Sequence, residues 1–479
     1  MNTPSIKKNF VYSTAYQILT MAVPFITTPY VSRVLGADGI GIYSFTSSVV
    51  AFFTMFAALG VMSYGAREIS RVRNNRSLLS RLFWEIELLV AFSTAVCLLL
   101  WGVWMICAPK YNVIYLILSM SIIGVVADIS WFFTGLEQFK YIVLRNSTVK
   151  FLGTISLFVF IREKDDLNLY IFLMTLINLL GAFSMWMYIP QMVDRVNWST
   201  LHVRKHFGET LVYFIPTIAT SLYTILNKVL LGFIGDDIRD NGYYEQANRI
   251  INICQMLTFT ALNRVLGARI AFLFVENKIE EIQKRIEKSL HYILFTGLGL
   301  IFGLQALTPR FVPWFFGAGF EPVIFLLQLL SPIILIIGIS NCLGSQYYTP
   351  AGLRKQSARY IIVGAVVNLV LNLILIPYFG AIGAVSGSLV AELTITCLYV
   401  YNCGEYLTLS QLGRNGWRKV IAGILMYLVI SSISCTIDNN TVFCIVSVII
   451  GVFTYILILV LMHDKFALDL VSMLKKHKM

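Results

Sequence analysis

Charge is scarce in this sequence. Of 479 residues, 13% are charged and 57% are hydrophobic. Soluble globular chains carry about a quarter charged residues. Half that share cannot cover a soluble domain of this size. The apolar residues also fall in long runs, so most of the chain has the bilayer as its solvent. The short patterns of common enzymes are missing too. There is no GxxxxGK[ST] to cradle ATP phosphates, no HExxH and no CxxC. No carboxylate pair and no Ser/His/Asp set suggests catalysis, so the sequence predicts no catalytic residue, no metal and no cofactor. Acids are fewer than bases, 25 against 37, for a net charge of +12. The bases sit in short loops between apolar runs, the positive-inside pattern, and no basic soluble domain exists to bind nucleic acid.

The eight cysteines lie mostly inside apolar runs and read as small buried hydrophobes. His202 and His206, four apart, suit a metal on a helix face, but beside Arg204 and Lys205 they read as part of a basic interfacial helix. Lys7 and Lys8 precede an apolar run too long for a leader, which reads as the first helix.

The apolar runs give an all-α, polytopic membrane protein with about fourteen spans. They fall near 10–33, 42–64, 83–107, 112–135, 142–161, 168–189, 211–234, 243–268, 290–308, 322–345, 359–379, 381–402, 419–436 and 441–461. With a cytoplasmic N-terminus, the loop bearing Arg67, Arg71, Arg73, Arg76 and Arg81 is inside. So are Arg204 with Lys205, Lys284 with Arg285, Arg354 with Lys355, and the tail Lys475, Lys476 and Lys478. Loops assigned outside are poor in bases, so an even span count with both termini cytoplasmic is predicted. The longest stretches left over are 190–210 and 272–289; the second, charged at helical spacing, reads as a solvated or interfacial cytoplasmic helix.

An internal repeat sets the organisation. Gly41-Ile42-Tyr43 and Gly65-Ala66-Arg67 recur as Gly242-Tyr243-Tyr244 and Gly267-Ala268-Arg269. This predicts two six-helix halves of the same orientation, 1–205 and 206–404, with two extra helices and a basic tail in 405–479.

Ionisable residues at membrane depth are costly and face a partner or an aqueous cavity. Arg33 lies at the outer end of the first span, and Lys228 and Arg249 lie at similar depth in the seventh and eighth. If the halves face each other, these bases line the outer part of one cavity with no matching acids, which suits an anionic substrate. Asp128 and Lys150, matched in depth, read as an ion pair between the fourth and fifth spans, and otherwise as a gating pair. Glu392, near the middle of the twelfth span, reads as a coupling-cation site or a structural carboxyl. Pro24 and Pro29 in the first span and Pro216 in the seventh are candidate hinges. Gly383-x-x-x-Gly387 is a close-packing face for a neighbouring helix.

Several of these segments resemble the Wzx-type oligosaccharide flippases, members of the multidrug/oligosaccharidyl-lipid/polysaccharide exporter superfamily. The segments are Pro29-Tyr30-Val31-Ser32-Arg33-Val34-Leu35-Gly36, Tyr64-Gly65-Ala66-Arg67-Glu68, and Asp128-Ile129-Ser130-Trp131-Phe132-Phe133 with Gly135-Leu136-Glu137. Gly380-Ala381-Ile382-Gly383-Ala384 before Glu392, and Tyr244-x-x-Ala247-x-Arg249, add to it. The resemblance implies a multi-pass protein of the bacterial inner membrane. Such a protein moves an undecaprenyl-diphosphate-linked oligosaccharide repeat unit to the outer leaflet by alternating access, for O-antigen, capsule or exopolysaccharide synthesis. It implies H+, Na+ or the membrane potential as the driving force. It also implies membrane lipids and a polysaccharide polymerase and glycosyltransferases as partners. A lipid II flippase and a multidrug or cation antiporter remain the alternatives; the basic excess in the spans disfavours the second.

Overall fold

Long apolar runs in a bilayer have one way to satisfy every backbone polar group within the segment, which is the helix. A computed structural model describes residues 6–260, 270, 272–274, 276 and 278–476, and every regular element among them is helical. The chain forms two compact units, 1–232 and 233–479.

In the first unit the helices are α1 (Ile6–Ala58), α2 (Val61–Val72), α3 (Arg76–Cys107), α4 (Asn112–Ala127) and α5 (Ser130–Gly135). They are followed by α6 (Phe139–Phe160), α7 (Leu167–Ser184), the short α8 (Ile189–Met192) and α9 (Val203–Ile234). The second unit holds α10 (Ile238–Gln255), α11 (Ile279–Phe316), α12 (Pro322–Leu330), α13 (Ile333–Leu343) and α14 (Arg354–Asn402). It ends with α15 (Leu409–Ser434), α16 (Asn440–Leu461) and α17 (Lys465–Lys476). Ten helical segments among the described residues are long and apolar enough to cross a membrane. Two of them hold two expected spans each. α1 breaks at Gly36 (φ 65°, ψ −179°) and α14 at Gly380 (φ 52°, ψ −126°), backbone that an L side chain resists. The expected span 243–268 runs past α10 into residues outside the described set.

Side chains are sorted as a lipid solvent requires. α16 buries Ser447, Gly451 and Tyr455 and exposes Ile449, Val452 and Phe453. The Gly383–Gly387 face does pack a helix, and that helix is the other arm of α14. A Cβ on Gly383 would sit 2.6 Å from the Leu375 backbone, and one on Gly387 2.5 Å from Asn372 Oδ1.

Asp240 caps the second arm, its Oδ2 accepting from the Ala381 N–H at 3.1 Å. Burial raises the Asp240 carboxyl above its ordinary range. A raised carboxyl makes the fold weaker as pH climbs from the unfolded value through the folded one. Asp240→Asn keeps the acceptor without the charge and should hold or raise the melting temperature of the detergent-solubilised protein at neutral pH. Asp240→Ala loses the cap and should cost about 0.5–2 kcal/mol. A lower melting temperature for Asn than for Ala would refute this account.

Three sequence expectations need correction. The charged stretch 279–289, expected to lie outside the spans, is continuous with the next span. It forms the first turns of α11, burying Ile282, Ile286 and Ser289 and exposing Glu280 and Lys284. His206 is buried, not interfacial. The helix also runs on unbroken through Pro24 and Pro29, and the departure from helical backbone comes at Gly36. Proline removes one hydrogen bond but keeps a helical φ, whereas Gly36 has no Cβ to hold it in the helical region. α9 is helical through position 216, whose side chain lies outside the described residues.

Candidate functional site

The first unit holds a partly open cavity of about 520 Å³ lined by α1 to α7. Its wall is polar for a bundle of apolar helices. Ser47 and Thr54 come from α1, Ser121 from α4, Asn178 from α7, and Asp128 and Arg145 bring opposite charges.

Local sequence puts those charges there. α4 ends at Ala127, and Asp128 turns the chain, its Oδ1 accepting from the Ser130 N–H at 3.0 Å and from the Ser130 hydroxyl. Such an Asx turn competes with helix and stops it. Trp186 Nε1 donates to the freed Ala127 carbonyl at 2.9 Å. The broken helix brings Asp128 Oδ1 to 2.9 Å from Arg145 Nη1, and Arg145 Nε donates to Asn146 Oδ1 at 2.9 Å. The Arg145 side chain is 14% exposed and that of Asp128 38%.

Beyond the turn, Trp131, Phe132 and Phe133 are buried against Phe83, which stacks on Trp131 at 5.7 Å. A Cβ on Gly65 would lie 2.5 Å from the Trp131 ring, and one on Gly135 2.7 Å from Ile69. The two signature segments, 64–68 and 128–137, are therefore one packed unit of α2 on α5, and Arg73 and Glu137 close it with a 3.0 Å ion pair. Next to it, Tyr64 Oη lies 2.6 Å from His206 Nδ1, and His206 Nε2 lies 2.9 Å from Glu85 Oε2. Glu85 Oε1 accepts from Arg81 Nε at 2.9 Å and from the His202 N–H at 2.8 Å. This buried relay joins α2, α3 and the start of α9.

Arg145 has a second aspect. It also borders a pocket of about 320 Å³ between α6 and α7, lined by Tyr141, Leu144, Leu152, Leu180 and Met187. Leu144, Leu152, Leu180 and Met187 are exposed. The guanidinium thus stands where a polar cavity adjoins an apolar, outward-facing groove.

The residues singled out from sequence fall differently. Asp128 is paired, but with Arg145, and Lys150 makes no ion pair among the described residues. The depth match assumed a straight helix over 112–135; the break at Asp128 moves the carboxylate to a residue more than a turn earlier on α6. Arg33 is exposed and Lys228 half-buried, both in the first unit; Arg249, in the second, is ion-paired to Glu245 at 3.0 Å. The idea that these bases have no matching acids is corrected by that pair, which was legible as an i,i+4 spacing on one helix face. Glu392 is buried in α14. Sequence reasoning missed Arg145, Glu85 and Glu87, although each is an ionisable residue inside an expected span.

The sequence profile described as "Polysaccharide biosynthesis protein" matches residues 6–267, more than half the chain. The chain belongs to that family. The first three signature segments lie inside the matched region. A protein of Escherichia coli (strain K12), provisionally named an O-antigen transporter, is 26% identical over 411 residues, covering 83% of this chain and 96% of its own. A Shigella dysenteriae protein of the same name is 24% identical over 400 residues, covering 81% and 98%. The solved structure of the lipid II flippase MurJ, in an inward closed conformation, superposes with a TM-score of 0.70. It covers 96% of this chain and all of its own at 16% identity, a likeness of fold. This member of the polysaccharide biosynthesis protein family is a multi-pass protein of the bacterial inner membrane.

Proposed function

We propose that this protein is a flippase for a polyprenyl-diphosphate-linked oligosaccharide, moving repeat units to the outer leaflet for surface polysaccharide synthesis. The observation that carries the reading is Arg145, which lies between a polar cavity and an apolar groove. A lipid-linked sugar has the same order of parts: hydrated sugar, diphosphate, hydrocarbon tail. Arg can fork two hydrogen bonds onto phosphate oxygens. The sugar would occupy the cavity, the diphosphate would meet Arg145, and the chain would lie along Leu144, Leu152 and Leu180. The names of the relatives, O-antigen transport and lipid II flipping, support a lipid-linked cargo.

In this reading the two halves alternate access to the cavity. Arg33, Lys228 and Arg249 are further proposed contacts for the anionic cargo, and Lys150 and Glu392 proposed gating or coupling groups. Pro216 is a proposed bending point. A test is reconstitution with a fluorescent undecaprenyl-diphosphate oligosaccharide, scored by its accessibility to an external lectin. Protein-containing vesicles should equilibrate the leaflets well ahead of empty ones. Equal rates would sink the reading, and preferential movement of lipid II or of an organic cation would replace it with one of the alternatives.

Both termini are proposed to be cytoplasmic. On a background with all eight cysteines replaced, an impermeant thiol reagent applied to whole cells should label cysteines placed at 236–241 and spare one at 280. Labelling at 280 from outside would overturn the topology.

A further inference from the structure

α3 buries two carboxyls two positions apart in opposite circumstances. Glu85 accepts hydrogen bonds from Arg81, from the His202 backbone and from His206. Glu87 is 4% exposed, and neither of its carboxyl oxygens has a hydrogen-bond partner among the described residues. Holding an ionised carboxylate there without a partner is far more costly than holding the neutral acid. In this conformation Glu87 therefore keeps its proton. α1, α2 and α4 pack on α3, and the charged group that acts on Glu87 among the described residues is Asp128, at the end of α4. Val90, three residues on and on the same face, lines the cavity that Asp128 and Arg145 share.

We propose that Glu87 is a proton-binding site whose occupancy decides whether Arg145 is free to hold the anionic cargo. The proposal rests on the flippase reading above and names the ion coupled to it. With Glu87 protonated, Arg145 has one carboxylate to satisfy, Asp128, which a diphosphate can displace. When the O–H bond of Glu87 breaks and its proton passes to water in the cavity, two carboxylates act on each other from α3 and the end of α4. The cation already held by Asp128 must then offset both, and it has no capacity left for a phosphate. Rebinding a proton restores the first state. One proton is taken up and one released per cycle, with no other reactant, and cargo binding is linked to protonation.

The test uses the purified full-length chain in detergent with farnesyl diphosphate as the probe, followed by tryptophan fluorescence. Wild-type affinity should weaken roughly tenfold or more between about pH 6 and about pH 8, since one linked proton changes affinity by up to tenfold per pH unit. The diphosphate gains charge over that range, which by itself would tighten binding, so the sign is diagnostic. Glu87→Gln, a mimic of the neutral acid, should bind as tightly at the higher pH as at the lower, and Glu87→Met should do the same. An infrared carbonyl band of a protonated carboxyl should be present in the wild type and absent from both variants. Variants that follow the wild-type pH curve, or that keep the band, would overturn the proton site. Binding by no protein at any pH would instead remove the role of Arg145, and the coupling with it.

Discussion

Arg145→Ala should cost cells most of their surface polysaccharide, beyond what any fall in protein level explains. Hydrogen bonds to charged groups contribute about 1.5–3 kcal/mol each, so losing the guanidinium should slow translocation about ten- to hundredfold. The single substitution also strands Asp128, whose Oδ1 now lies 2.9 Å from Arg145. Folded protein should therefore fall in Arg145→Ala and recover in the double variant Arg145→Ala with Asp128→Asn, because Asn still accepts from the Ser130 backbone. Transport should not recover with it. Arg145→Lys keeps the charge without the planar fork and should restore part of the activity. Complementation of a strain lacking its own flippase, with membrane protein measured by blotting, reads both quantities. Full polysaccharide in the double variant would remove Arg145 from the cargo path.

Gly65→Val should prevent the protein from accumulating. The nearest ring atom of Trp131 lies 2.5 Å from where a Cβ would stand, and Trp131 is itself packed on Phe83. The ring has nowhere to move, and overpacking of this kind costs about 3 kcal/mol. Trp131→Leu opens the space and should return Gly65→Val to much of its wild-type level, measured by fluorescence-detected size exclusion of a tagged protein. If Trp131→Leu leaves Gly65→Val no better, the clash is not with that ring.

Much of this architecture was written in the sequence as hydropathy. Spans 83–107, 142–161 and 441–461 lie within or close to α3, α6 and α16, because a bilayer imposes length and apolarity together. The helix breaks were harder to see. Proline drew attention at Pro24 and Pro29, yet the chain turns at Gly36 and Gly380, where the missing Cβ matters more than the missing N–H. The Asp128-x-Ser130 turn is visible as residues but not as a turn, and a straight helix there points the carboxylate to Lys150. Span depth alone leaves Arg249 without an acid, although Glu245 lies one turn away. Periodicity reports which residues face inward; which of them meet depends on where the helices bend, and a few glycines decide that.

The hairpin of α14 bears on how the protein enters its membrane. Asn368, Asn372 and Glu392 are buried between or beside its arms, and Gly364 and Gly387 press against Ile395 and Asn372 across the seam. Each of those polar side chains would be costly on a single helix surrounded by lipid. The arm 354–379 therefore gains by waiting at the translocon for the arm 381–402, so that the two leave its lateral gate as a closed pair, already desolvated against each other. The tight reversal at Gly380 makes that wait short.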